Sequence, residues 1–266
     1  MINKPSKLLA SFAMLTVTAL TIGCQREAPE VPESPPAGWP TALNDLTIAW
    51  TAEPGIDLLR GSAVAVRAYV ESYYLAALTK DQKYLYPGFV QSVDANNSGG
   101  PAGTKELWPS TSRPRVWVGT VRHHLLRIDQ SGDDKEAVGC AYLYGSATVD
   151  DGDYQANVSG TGPGAGVRPF RLVLKSPENE QDLPPQHGPA RAPSANVFGG
   201  WRITNFQGDY FALAEWPDAS TDQSQCEQLA DRPPAERDFK PGNSYMRSDF
   251  PTQPASPGWP DASTSQ

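Results

Sequence analysis

Two adjacent histidines, His123 and His124, and a tight group of carboxylates, Asp150, Asp151 and Asp153 around Gly152, are the residues of this 266-residue chain whose types and spacing first invite chemistry. Metal binding needs ligands that converge. Neighbours in a strand point to opposite faces, so the two histidines are expected in separate environments rather than on one ion. The aspartates suggest a calcium loop, yet they lack the spaced ligands and terminal Glu of an EF-hand. An Asp-Gly hairpin turn accounts for them. Gly160, Gly162 and Ala165 spell a dinucleotide loop, but a strand follows where a phosphate-binding helix would have to begin. No serine occupies a Gly-x-Ser-x-Gly elbow. The residues therefore predict no metal, no cofactor and no catalytic group.

What remains is a set of aromatic residues. If a sheet curls over a helix, Tyr69, Tyr73, Tyr142, Tyr144 and Trp201 would line an apolar pocket, with Arg122, His123 and Asp129 as its polar members. Apolar walls with a few polar groups are the usual character of a small-molecule site. The other reading is that these aromatics are simply core.

The elements that must position them can be read from periodicity. Ala63, Val66, Val70, Tyr73 and Ala77 recur at helical steps and predict a helix from about Ser62, its cap, to Leu78. A short helical turn is expected at Gln82 to Leu85, and a loop from Asp94 to Pro114. Strands are expected at Arg115 to Arg122, Leu125 to Asp129, Glu136 to Val149, Tyr154 to Ser159, Val167 to Lys175 and Phe198 to Phe206. One helix followed by a run of strands argues for an α+β fold.

The ends of the chain differ from its middle. Lys4 and Lys7, the apolar run Leu8 to Leu20 and the small residues before Cys24 have the order of an export leader. The run is too short to span a bilayer, which takes roughly 20 apolar residues. Gly23 and Cys24 resemble the lipobox of bacterial lipoproteins, which implies that Cys24 becomes the first mature residue and carries acyl chains. Of three cysteines this leaves Cys140 and Cys226 as an even pair, expected to be bonded in an export compartment.

Proline-rich composition marks residues 24–56 as a tether and 232–266 as an irregular tail, with the domain at 57–231. Trp216 to Thr221 and Trp259 to Thr264 share the sequence Trp-Pro-Asp-Ala-Ser-Thr, and Trp39 and Pro40 repeat its first two letters. Such steps are expected to pin irregular chain to the domain surface. The formal charge is -8, and the basic leader makes the remainder more acidic still. Binding to phosphate backbones needs a basic patch, so nucleic acid is excluded as a partner, and membrane attachment must rest on the anchor.

The Ala63 to Leu78 helix, the hairpin strands around Cys140 and the Gly200-Trp201-Arg202-Ile203 strand together resemble the NTF2-like, or SnoaL-like, superfamily over about residues 57–206. The resemblance implies a helix packed in a curved antiparallel sheet, the cone of that fold, and it extends to lipid-anchored members in actinobacterial envelopes. It implies a non-catalytic envelope module on the extracytoplasmic face of the cell membrane, binding a protein partner or an apolar small molecule as an accessory to transport or assembly. The alternative it implies is an enzyme of the SnoaL type, doing acid-base chemistry on a small hydrophobic substrate.

Overall fold

The computed structural model describes residues 38–96, 106–110, 114–158, 162–179, 181–208, 216–240 and 242–261. Residues 1–23, expected to be a leader, Cys24, Gly160 and much of the Asp94 to Pro114 loop lie outside them. The described residues belong to one compact unit, Pro35–Gln266. None of their helices is long and apolar enough to cross a membrane.

A seven-stranded, curled and mainly antiparallel sheet carries the fold, which is α+β. Its strands are β1 (Leu46–Ala52), β2 (Val116–Ser131), β3 (Asp134–Tyr142), β4 (Ser146–Asp150), β5 (Asp153–Ala156), β6 (Val167–Lys175) and β7 (Arg202–Gly208). The helices are α1 (Gly61–Thr79), the single turn α2 (Phe89–Ser92) and α3 (Ala219–Gln228).

Strand β2 organises the sheet because it is long enough to take several neighbours. Gly119 faces Leu46 of β1 on one side and Ser146 of β4 on the other, while Arg122 faces Ala49 of β1 and Tyr142 of β3. β3 and β4 therefore share one edge of β2, and β1 takes the opposite edge as its parallel partner. The expected Glu136 to Val149 strand is in fact broken between β3 and β4. Gly119 has φ +96°, and a Cβ on it would lie 2.2 Å from the Gly145 carbonyl oxygen, so only glycine admits this close crossing. Past the break the sheet divides: β6 continues from β3 and β5 from β4. The β4–β5 hairpin turns on Asp151 and Gly152, both at positive φ, as an Asp-Gly turn requires.

Three sequence expectations are corrected. Residues 46–52, read as tether, form β1 inside the sheet, with Leu46, Thr47, Ile48 and Trp50 buried. Helix α1 begins at Gly61, so Ser62 lies in its first turn instead of capping it. The helix is also buried on nearly every side rather than along one stripe, including Arg67 and Glu71. An all-round buried helix needs cover on both sides. The sheet supplies one side; the chain around Gln186 and the C-terminal residues 256–259 supply the other.

That cover is held by charge. Arg67 donates to the carbonyls of Leu58 (2.9 Å), Gln186 (3.1 Å) and Gly258 (2.7 Å), and its guanidinium stacks 4.3 Å from the Trp259 ring. Glu71, one turn later, accepts from Trp50 Nε1 (2.8 Å), the Tyr86 hydroxyl (2.8 Å) and Trp259 Nε1 (2.7 Å). The C-terminal segment thus closes over α1, and Trp259 and Phe250 are fully buried.

The convex face is covered by α3. Cys226 bonds to Cys140 of β3, with the Cα atoms 5.5 Å apart. Trp216 donates to Asp222 (2.9 Å), and Asp222 pairs with Arg127. Each Trp-Pro step pins its own segment: Trp39 donates to the Leu43 carbonyl, Trp216 to Asp222 and Trp259 to Glu71.

Candidate functional site

An apolar cavity of about 240 Å³ lies between the C-terminal half of α1 and the sheet. Leu46 and Ile48 of β1, Tyr74, Leu75 and Leu78 of α1, and Trp117, Val121 and His123 of β2 form its main walls. Leu143, at the break between β3 and β4, and Asn157 and Val158, after β5, complete them. The same bend that divides the sheet therefore leaves this space beneath the helix. Among the described residues, no Lys, Arg, Asp or Glu lines it.

Its polar members among the described residues are Tyr74, His123 and Asn157. His123 is 1% exposed, and neither ring nitrogen, both closed off from solvent-sized space, has a hydrogen-bond partner among the described residues. Its ring stacks on Trp50, with centroids 4.4 Å apart and planes 20° apart, and meets Phe170 edge-on at 6.0 Å. The Tyr74 ring lies 6.1 Å away. Trp50 is itself tied by its indole N–H to Glu71, so the imidazole rests on a fixed platform. Burial pushes the His123 pKa down to about 3. The ring is therefore neutral near pH 7, with one nitrogen donating and one accepting, and a buried unpaired group of this kind carries a desolvation cost.

No protein-family model, curated protein or solved structure matches the chain.

The residues expected to share a pocket fall into several groups. His123 lines the cavity. Tyr69 and Tyr73 pack in the main core against Phe206, and the Tyr69 hydroxyl donates to the Leu107 carbonyl (3.0 Å). Trp201 is core, 3% exposed. Tyr142 and Tyr144 lie on the convex face, where the Tyr142 hydroxyl donates to the Cys226 carbonyl (3.2 Å). Arg122 belongs with them: it pairs with Asp231, which also accepts from the Tyr144 hydroxyl (2.7 Å). Asp129 pairs with Arg127 at 3.3 Å on the surface. Of the expected set, Arg122, His123 and Tyr142 therefore meet in a second pocket of about 200 Å³, with Thr51, His124 and Asp231, and His123 also reaches the cavity beneath α1. Cross-strand register explains the split, because Arg122 stands opposite Tyr142 and His123 opposite Ala141.

His123 and His124 separate as strand alternation requires. His124 Nδ1 lies 2.8 Å from Thr51 Oγ1 and its Nε2 lies 3.2 Å from Glu53. Among the described residues, no group of three or more His, Cys, Asp or Glu is placed to hold a metal ion.

Sequence reasoning did not find Leu46, Ile48, Trp50 or Trp117. The alternation of Leu46, Ile48 and Trp50 was a usable indication, masked by the prolines on either side.

The buried imidazole makes a pH prediction. Its folded pKa lies below the unfolded value of about 6.5, so the unfolded chain binds the extra proton, and stability falls as pH drops from 6.5 toward 3. The His123 contribution should change the folding equilibrium by about tenfold per pH unit over that window. Urea titrations at pH 7, 6, 5 and 4 should show a shallower acid loss in His123→Phe than in the wild type. Parallel losses would contradict the burial of a neutral ring.

Proposed function

We propose that this chain is a lipid-anchored protein of the cell envelope, exposed on the extracytoplasmic face, whose NTF2-like domain binds a small, largely apolar molecule as an accessory to envelope transport or assembly. The observation that carries the binding role is the cavity beneath α1, lined mainly by apolar side chains, Leu46, Ile48, Leu75, Trp117, Val121 and Leu143 among them, with Tyr74, His123 and Asn157 as its polar members. Close-packed interiors keep few voids larger than a water molecule. An apolar cavity of about 150 Å³ is enough to take benzene, so 240 Å³ suits one ring or a short chain. The curled sheet wrapped on one helix supports the NTF2-like reading. The leader-like start, Cys24 and the Cys140–Cys226 bond support export and anchoring.

His123 beside Tyr74 favours the SnoaL-type enzyme as the second reading. A base with a pKa near 3 drives proton abstraction weakly at neutral pH, which supports the binding reading over the catalytic one.

Saturating toluene should raise the thermal midpoint of the full-length protein. A ligand at about 100 times its Kd contributes roughly 2.7 kcal/mol. Val121→Trp, which fills the space, should remove the shift. An unchanged wild-type midpoint would contradict the binding role. A mass spectrum of the mature protein should find acyl chains on Cys24, and an unmodified Cys24 would contradict the anchor.

A further inference from the structure

Resting on the reading of the cavity as a binding site, we infer that its ligand lies with an apolar end inward and presents an amide-like edge, a donor and an acceptor side by side, to the Asn157 carboxamide.

The lining is uneven. Leu46, Ile48 and Leu75 are buried, whereas Tyr74, Asn157 and Val158 are half-buried. A ligand with one polar end would keep its apolar part among the first group and its polar part near the second, where that group need not lose all of its water. His123 offers no pairing, because both ring nitrogens are closed off. Tyr74 is held as a ring, edge-on to Tyr73 at 6.0 Å and 6.1 Å from His123. Asn157 differs from both. Its backbone N–H donates to the Ser146 carbonyl at 3.0 Å, which fixes the residue just past the end of β5. Among the described residues its carboxamide has no hydrogen-bond partner. A carboxamide holds a donor and an acceptor in one plane, and it pairs best with a group that offers the complementary two, as it does with the edge of adenine. A lone carbonyl would satisfy one of them, and an apolar group neither.

Benzamide, acetophenone and cumene share one shape and differ in that edge: donor with acceptor, acceptor alone, and neither. Each is titrated into the full-length protein in nanodiscs, wild type and Asn157→Leu, with empty nanodiscs as the blank. Benzamide gives up more water than cumene on entry, so the readout is the change on substitution rather than the raw order. One net hydrogen bond corresponds to roughly five- to tenfold in affinity. Asn157→Leu should therefore weaken benzamide at least about tenfold and acetophenone by a smaller factor, and leave cumene within about twofold.

A benzamide loss no greater than that of cumene would overturn the inference while leaving the cavity as a binding site. So would equal losses for benzamide and acetophenone, or wild-type protein that binds cumene and not benzamide. If none of the three binds, the cavity reading itself fails. Should Asn157→Leu fail to fold, Asn157→Asp decides the matter, since it keeps the size and removes the donor. Acetophenone, which needs that donor, should then weaken more than benzamide, and equal effects on the two would overturn the inference.

Discussion

Replacing Trp259 by Ala should cost about 3 to 5 kcal/mol of folding stability, the range for truncating a buried aromatic. The site argues for the upper part of that range. Trp259 is 1% exposed, its ring lies under the Arg67 guanidinium, and its indole N–H is one of three donors to a carboxylate buried inside a helix. Removing it leaves Glu71 with one partner fewer where water cannot substitute, and buried charges tolerate this poorly. Burial already pushes the Glu71 carboxyl above its ordinary pKa, while Arg67 and its three hydrogen-bond donors pull the other way.

Trp259→Phe separates the two contributions. It keeps most of the packing and loses the hydrogen bond, so its loss should be smaller, about 1 to 3 kcal/mol. Urea unfolding of both variants reads the difference. A loss below about 1 kcal/mol in Trp259→Ala would mean that the C-terminal segment contributes little to the fold.

Removing the disulfide should have a comparable effect by a different route. Cys140 and Cys226 are 86 residues apart in sequence. Closing a loop of that length restricts the unfolded chain by about 4 to 5 kcal/mol in the entropy model. The Cys140→Ser, Cys226→Ser double variant should lose stability of that order, and reductant should reproduce the loss in the wild type.

The folded state adds a local consequence. Helix α3 reads Ala-Ser-Thr-Asp-Gln-Ser-Gln-Cys-Glu-Gln, and it buries only Ala219, Asp222 and Cys226. Without the bond, it holds to the sheet mainly through Asp222 with Arg127 and Trp216. Hydrogen exchange should therefore quicken in α3 before the β2–β3 ladder. Stability unchanged by reductant would contradict a bonded pair.

These cases also show what the sequence makes legible. Helix α1 is readable because its apolar residues recur at helical steps, and β6 because Val167 to Lys175 alternates between strong flanking turns. β1 is hidden by its surroundings: Leu46 to Ala52 is an ordinary buried strand, but Pro40 and Pro54 dominate the local composition. α3 has almost no apolar period, so its position depends on a disulfide and one buried carboxylate rather than on hydrophobicity. The candidate site is legible only in part for a related reason. Residue types suggest aromatics around a curved sheet, yet which aromatics meet depends on cross-strand register. That register puts Tyr142 and Tyr144 with Asp231 on the convex face and leaves His123 beneath α1.

The Trp50 contacts link the two halves of the structure. One ring stacks on His123 and, through its indole N–H, reaches the carboxylate that also holds Trp259. The C-terminal segment and the cavity therefore share a support.

The most direct test of the binding site is the imidazole ¹⁵N spectrum of the full-length protein, which has three histidines to assign. The account predicts that His123 shows the separated signals of a neutral ring down to about pH 4, and that these signals shift when toluene, whose ring would lie against the imidazole, saturates the cavity. A His123 that titrates near pH 6.5, or whose signals ignore toluene, would contradict it.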